Sequence, residues 1–294
     1  MQKNILDSEL ILNPDGSIYH LHLKPEDLAD TVFLVGDPDR VKLISRKFDE
    51  MEVQVRNREF ATHTGYYYGT RISVVSTGIG TDNIDIVLSE LDALANIDFQ
   101  TRTEKKEKRK LKFIRLGTSG ALQQEIVPGS FVFSQIAGGL DGLIHFYQDG
   151  IKVSDPILTR QFMELTGWDQ RRPEPYFVEA SRPLSELLMR GGIFSGITLS
   201  APGFYGPQGR SLRLQAIDPK INEKILNFRY NELQITNYEM ESSALYGLSR
   251  MLGHEAVTLC VAIANRVTGQ FIKDYKPAIK QLIYYALNAV SGKE

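Results

Sequence analysis

The feature that most constrains this chain is a repeated grammar: a β-branched apolar run, a glycine, then a helix signal. TVFLVG (31–36) leads into DPDRVKLISRKF, where Asp37 suits an N-cap and Pro38 the first helical position. RISVVSTGIG (71–80) repeats the pattern, and Ile84, Val87, Leu88, Leu91, Leu94 and Ala95 follow at helical spacing. KFIRLGTSGAL (112–122) reads as a third strand running into a glycine turn. Further strands are expected at 129–137, 192–201 and 255–265, the last apolar enough to be buried on both faces. Helices are expected at 155–166, 183–190, 218–229, 241–252 and 277–290. The helix at 241–252 carries apolar residues at 244, 245, 248, 251 and 252, one face. Such alternation predicts an α/β fold with a mostly parallel sheet wrapped by helices. Residues 1–18 read as an irregular lead-in. With no internal repeat and no Pro/Ser-rich linker, residues 1–294 are expected to form one domain.

Charge narrows the partners. The formal net charge is −2, which leaves no electrostatic footprint for nucleic acid. Any bound anion must be met by local arginines. TRTEKKEKRKLK (101–112) is densely basic, but it has no aromatics and is expected to be a solvated helix extension or mobile loop, or a contact with another subunit. The single cysteine, Cys260, lies in LCVAIA and is expected as a small buried hydrophobe. One cysteine makes no intramolecular disulfide, which fits a reducing compartment. The acidic start MQKNILDSEL does not resemble a signal peptide, and no apolar run approaches the ~18 residues of a membrane helix. A cytoplasmic protein without a membrane partner is the expectation.

Three glycine segments follow the strands: GDPDR (36–40), TGIG (77–80) and GTSG (117–120). None matches GxGxxG or the P-loop, so nucleotide-cofactor functions lose support. Glycines at strand ends let backbone N–H groups approach an anion. Arg40 lies four residues after Gly36, and Arg115 two before Gly117, with hydroxyls at Thr118 and Ser119. Two guanidiniums, hydroxyls and backbone donors would suit one phosphate. NYEMES (237–242) sets Glu239 and Glu241 before a helix. They serve either as acids near the helix dipole, as acceptors for a vicinal diol such as that of a ribose, or as a glycosidase acid–base pair. Met240 between them could floor a sugar. FYGPQGR (204–210) pairs Gln208, with one acceptor and two donors, with Arg210, which only donates. Together they match a ring that presents carbonyls beside an N–H, such as uracil, with Phe204 or Tyr205 stacked on its face.

GDPDR, STGIG, RLGTSGAL, FYGPQGR and NYEMES, in this order, resemble the nucleoside phosphorylase superfamily of the uridine phosphorylase type. The likeness runs from about Tyr19 to Asn288. It implies a single α/β domain around a central mixed sheet, and phosphorolysis of uridine to uracil and ribose 1-phosphate. It implies homodimers, or hexamers built as trimers of dimers, with active sites shared between subunits. By motif, Gly36, Arg40, Arg115 and Thr118 would hold phosphate, with Arg58 of NREF reaching a neighbour's phosphate. His20 of YHLHL would cross to a neighbour's ribose, His22 being the competing assignment. Glu239, Met240 and Glu241 would hold ribose. Ser119, Gly120, Phe204, Gln208, Arg210 and Arg266 would surround the base. No cofactor is implied beyond phosphate as co-substrate, with a monovalent cation near Glu59 and Asn83 left open. CVAIANR lacks the aspartate that purine-cleaving relatives carry there, which favours a pyrimidine. GPQGR has an extra glycine that would loosen the loop and admit thymidine or deoxyuridine. Alternatives are a phosphorylase for another nucleoside and a catalytically silent nucleoside-binding relative.

Overall fold

The computed structural model describes residues 4–293; the first three residues of the lead-in and Glu294 lie outside it. The chain begins with β1 (Thr31–Val35), α1 (Pro38–Ser45), β2 (Glu50–Asn57), β3 (Phe60–Tyr67), β4 (Thr70–Ser76) and α2 (Thr81–Asn96). A small hairpin, β5 (Ile97–Asp98) and β6 (Thr103–Glu104), precedes β7 (Lys112–Ala121) and β8 (Phe131–Gly139). Then come α3 (Gly150–Val153), α4 (Pro156–Thr166), β9 (Tyr176–Glu179), α5 (Arg182–Leu188), β10 (Phe194–Ser200) and α6 (Ile221–Leu226). The chain closes with β11 (Arg229–Tyr230), β12 (Leu233–Glu239), α7 (Ser242–Leu252), β13 (Glu255–Asn265) and α8 (Lys276–Ser291).

One 11-stranded sheet runs β11-β12-β10-β8-β13-β7-β1-β4-β3-β2, with β9 on β8. It is mixed rather than mostly parallel. β1 lies parallel to β4 and β7, β13 to β7, and β10 to β8 and β12. The hairpins β2–β3 and β3–β4, and the contacts β13–β8 and β12–β7, are antiparallel. The β12–β7 contact returns the sheet onto itself, so β7, β12, β10, β8 and β13 form a closed ring. Closure brings the carboxyl end of β12 against that of β7, at Tyr238↔Gly120 and Asn237↔Ala121. Alternation did not predict this, because hairpin and ring closures depend on non-local pairing.

The core sits on both faces. Along β1, Val32 and Leu34 pack with α2 and α7 residues such as Leu88, Leu91 and Leu245. Phe33 and Val35 point the other way, to Val41 and Ile44 of α1 and Ile279 and Ile283 of α8. The expected apolar stripe of α2, from Ile84 to Ala95, is fully buried. α1 starts as its signals indicate: the Asp37 carboxylate accepts from Asp39 N at 2.9 Å, with Pro38 in the first turn. Cys260 is fully buried, as expected, and burial pushes its thiol up to about 12.

Several expectations change. GTSG is not a turn, because β7 continues through Gly117–Gly120 to Ala121. The helix expected over 218–229 is only Ile221–Leu226. α7 is buried on nearly every side from Ser242 to Ser249, whereas Leu252 at its end is exposed. The basic run is neither helix nor free loop. Lys105 Nζ donates to Ala95 O at 3.0 Å at the carboxyl end of α2. Arg109 pairs with Asp30 at 2.7 Å and Lys110 with Glu255 at 2.7 Å. These cations satisfy carbonyls and acids that the sequence alone does not bring near them. The lead-in is irregular but anchored, with Leu10 and Ile18 in the core. Among the described residues, no helix is long and apolar enough to cross a membrane.

Candidate active site

The carboxyl ends of β1, β4, β7, β12 and β13 surround a cavity of about 830 Å3. Gly36, Arg40, Arg115, Thr118, Ser119 and Gly120 line it, together with Phe204, Gln208, Arg210, Glu239, Met240 and Glu241. Ligands gather at such strand ends because backbone polar groups there have no sheet partner.

Arg115, on β7, is buried with its guanidinium between two acids. Nη1 lies 3.1 Å from Glu239 Oε2, and Nη2 binds Glu241 Oε2. Burial opposes its charge, but the carboxylates of Glu241 and Glu239 outweigh that and raise its pKa. Room for the guanidinium comes from Gly117. A Cβ there would stand 3.0 Å from Arg115 Cζ and 3.0 Å from Cys260 Sγ. This requirement, not a turn, explains the glycine. Arg40 donates from Nη1 to Leu116 O at 3.0 Å. Burial, then the positive charge of Arg115, lowers its pKa. An oxyanion between these arginines would relieve both penalties.

The two acids divide the roles proposed for them. Glu239 accepts from Glu241 N at 3.0 Å and Ser242 N at 3.0 Å, and from Ser200 Oγ. It therefore holds the first turn of α7, the helix-dipole role, while its carboxylate also faces Arg115. Glu241 accepts from Gly80 N at 2.8 Å. Gly80 has φ +100°, which aims that N–H inward and favours glycine. Burial raises the pKa of Glu241 despite the opposing charge of Arg115.

Across the cavity, Gln208 ends a 3-10 turn, Gly206–Gln208, and is 3% exposed. Arg210 Nη1 donates to Gln208 Oε1 and, at 2.6 Å, to Phe204 O. Its guanidinium stacks over the Phe204 ring at 3.9 Å. Burial, then the neighbouring charge of Arg266, pulls the Arg210 pKa down to about 10. Gly209 sits at φ +69°, and Gln208 O accepts from both Asn222 Nδ2 (3.2 Å) and Arg266 Nη2 (3.0 Å). The end of β7 reaches this loop: a Cβ on Gly120 would stand 4.0 Å from Arg210 Nη2. Five strand steps from Arg115 to Gly120 span roughly 16 Å, which separates the two arginine groups.

Several expected residues do not line this chain's cavity. Arg266 braces the loop from behind. Arg58, at φ +53° on the β2–β3 hairpin, donates to Tyr19 Oη at 3.1 Å. His20 bonds through Nδ1 to Glu90 on α2 at 2.6 Å, whereas His22 turns to Asp15 at 3.2 Å. Tyr205 is exposed and outside the cavity. Tyr238 lines the cavity and was not anticipated; only its place before NYEMES's acids could have flagged it. Its hydroxyl is buried without a partner, as are Ser119 Oγ, Arg115 Nε and Arg266 Nη1. Three of these orphans, on Tyr238, Ser119 and Arg115, belong to residues that line the cavity, as suits a site for a polar ligand. Asn265, in the segment that lacks an aspartate, is occupied structurally: it donates to Gln123 O (2.8 Å) and Ile126 O (3.0 Å) and accepts from Val267 N (2.9 Å). Ile263 and Ala264 face the cavity instead. Glu59 and Asn83 both line it as well. Among the described residues, no group of three or more His, Cys, Asp or Glu could hold a metal ion.

Known proteins resemble this chain in sequence and fold. A uridine phosphorylase from Thermococcus kodakarensis is 33% identical over 279 residues, covering 93% of this chain and 86% of that protein. A uridine phosphorylase from Haemophilus influenzae is 30% identical over 281 residues, covering 94% and 96%. The crystal structure of a Trypanosoma brucei nucleoside phosphorylase, which shows uridine phosphorylase activity, superposes with a TM-score of 0.86 at 30% identity. That superposition covers 97% of this chain and 100% of the other. The sequence model of the phosphorylase superfamily matches residues 30–283, and the chain belongs to that family.

Proposed function

We propose that this protein is a uridine phosphorylase, cleaving uridine with inorganic phosphate to uracil and ribose 1-phosphate. The observation that carries the reading is that Gln208 and Arg210 line the same cavity as Arg40, Arg115 and Glu241. Phosphate would bind between Arg40 and Arg115 with Gly36 and Thr118. The ribose diol would meet Glu241, its carboxylate held by Gly80 N and Arg115, above Met240. Uracil would meet Gln208 and Arg210, with Phe204, Ser119 and Gly120 around it.

Cleavage of the ribosyl–nitrogen bond builds positive charge on the sugar and negative charge on the base. Phosphate beneath the sugar supplies nucleophile and counter-charge. Gln208 donates to one carbonyl and Arg210 to the other, where charge accumulates. A fixed donor of this kind is worth roughly 3–4 kcal/mol at the transition state. The uracil anion spreads over its carbonyls, so the apolar Ile263 and Ala264 wall suffices where a purine would want an acid. Arg58 and His20 lie outside their own cavity, which supports their completing a neighbour's site in a homodimer or a hexamer of dimers. A monovalent cation beside Glu59 belongs to the same proposal, as does a cytoplasmic location.

Incubation of uridine, thymidine and inosine with and without phosphate tests the reading. Uracil should appear only with phosphate. Base release without phosphate would make the protein a hydrolase, and preferred cleavage of inosine would make it a purine enzyme.

A further inference from the structure

Asp37 and Arg40 line two cavities: the active site and a second of about 440 Å3 between α1 and α8. The second shares Leu43, Arg46 and Lys280 with a third, of about 220 Å3, so the two form one continuous groove. Lys42 on α1 and Arg46, which caps its carboxyl end, stand four residues apart, as do Lys276 and Lys280 on α8. Each helix therefore turns a pair of cations, about 6 Å apart along its axis, into the groove. Lys47 adds a fifth at the outer end, lying over the Tyr284 ring at 4.5 Å. None of these five forms an ion pair among the described residues. The acids lining the groove, Asp37 and Asp39, sit with Arg40 at the inner end. A chain of net charge −2 thus concentrates unpaired positive charge on one concave strip. Like charges four apart on a helix disfavour it; a multivalent anion would reverse that.

We propose that this groove binds a linear polyphosphate chain, inorganic or carried by a nucleoside triphosphate, and that its occupancy weakens phosphate binding next door. A single phosphate cannot span both cation pairs, whereas a triphosphate can lie along the rows. The coupling runs through Arg40. A bound polyanion at the inner end competes for that guanidinium and repels a second anion within a Debye length, about 8–10 Å at ordinary ionic strength. The coupling half rests on the phosphorolysis proposed above; the binding half does not.

Calorimetric titration with inorganic tripolyphosphate and, separately, with a nucleoside triphosphate tests the binding, in the presence of saturating inorganic phosphate. Both should bind once per chain, and Arg46→Gln with Lys280→Gln should weaken them about tenfold while basal turnover stays unchanged. Equal affinities assign recognition to the phosphate chain alone; tighter binding of the nucleotide adds a contribution from its nucleoside. Lack of binding, binding indifferent to the double substitution, or binding only of an oligonucleotide overturns the site. The KM for phosphate should rise about fivefold with tripolyphosphate in the wild type and not in the variant. An unmoved KM with binding intact removes the coupling and keeps the site. Binding is read without turnover, so a failed phosphorolysis assay leaves that arm legible.

Discussion

Replacing Gly117 by alanine should cripple the site from within the sheet. The added Cβ meets Arg115 Cζ and Cys260 Sγ, each at 3.0 Å, and the Nη1 of Arg115 closer still. The guanidinium is the movable partner, but it has nowhere equivalent to go. Shifting it separates Arg115 from Glu239 and Glu241, leaving charges buried at 4% exposure or less in each case. Breaking a buried pair costs about 3–5 kcal/mol. At ~2–4 °C per kcal/mol for a large domain, Tm should fall by roughly 6–20 °C. The KM for phosphate should rise while the loop at Gln208 and Arg210 is untouched. Differential scanning calorimetry reads the first effect and phosphate-dependent initial rates the second. In an Arg115→Met background the alanine should cost less than in the wild type, because the guanidinium contact is gone and only the Cys260 Sγ contact remains. A Gly117→Ala protein that melts within ~2 °C of wild type, with an unchanged phosphate KM, would show that the pocket around Arg115 is not built as described.

Gln208→Ala should lower kcat/KM for uridine by about 10²–10³ and leave phosphate affinity unchanged, as checked by rates and equilibrium binding. Glu241→Ala should hurt uridine more than 2′-deoxyuridine, shrinking the ratio of their kcat/KM values about tenfold, since one charge-assisted hydrogen bond is lost. Equal losses would remove Glu241 from the diol. His63 on β3 is largely buried against Ser45 Oγ of α1 at 2.7 Å, and burial, then Lys42, lowers its pKa from 6.5. The unfolded chain therefore takes the proton first. Stability should be complete above pH 6.5 and decline as the pH falls below it. Tm measured from pH 7 to 5 should show a shallower slope in His63→Gln.

Much was legible in the residues because the signals are local. The Asp37–Pro38 start of α1, the apolar stripe of α2 and the burial of Cys260 follow from capping, periodicity and polarity over a few residues. Resemblance through the five motifs carried the site, since Gln208, Arg210, Arg40 and Arg115 had no geometric reason to meet when read singly. Tertiary structure alone decided the rest. Gly117–Gly120 looks like a turn until the closed ring of strands and the Arg115 guanidinium beside Gly117 are known. Glu239 and Glu241 look interchangeable until α7 points its first N–H groups at one and Gly80 donates to the other. Tyr238 enters the cavity only because β12 closes onto β7 at Gly120. Propensity acts within one turn or one strand, whereas contact across more than a hundred residues depends on how the whole sheet closes.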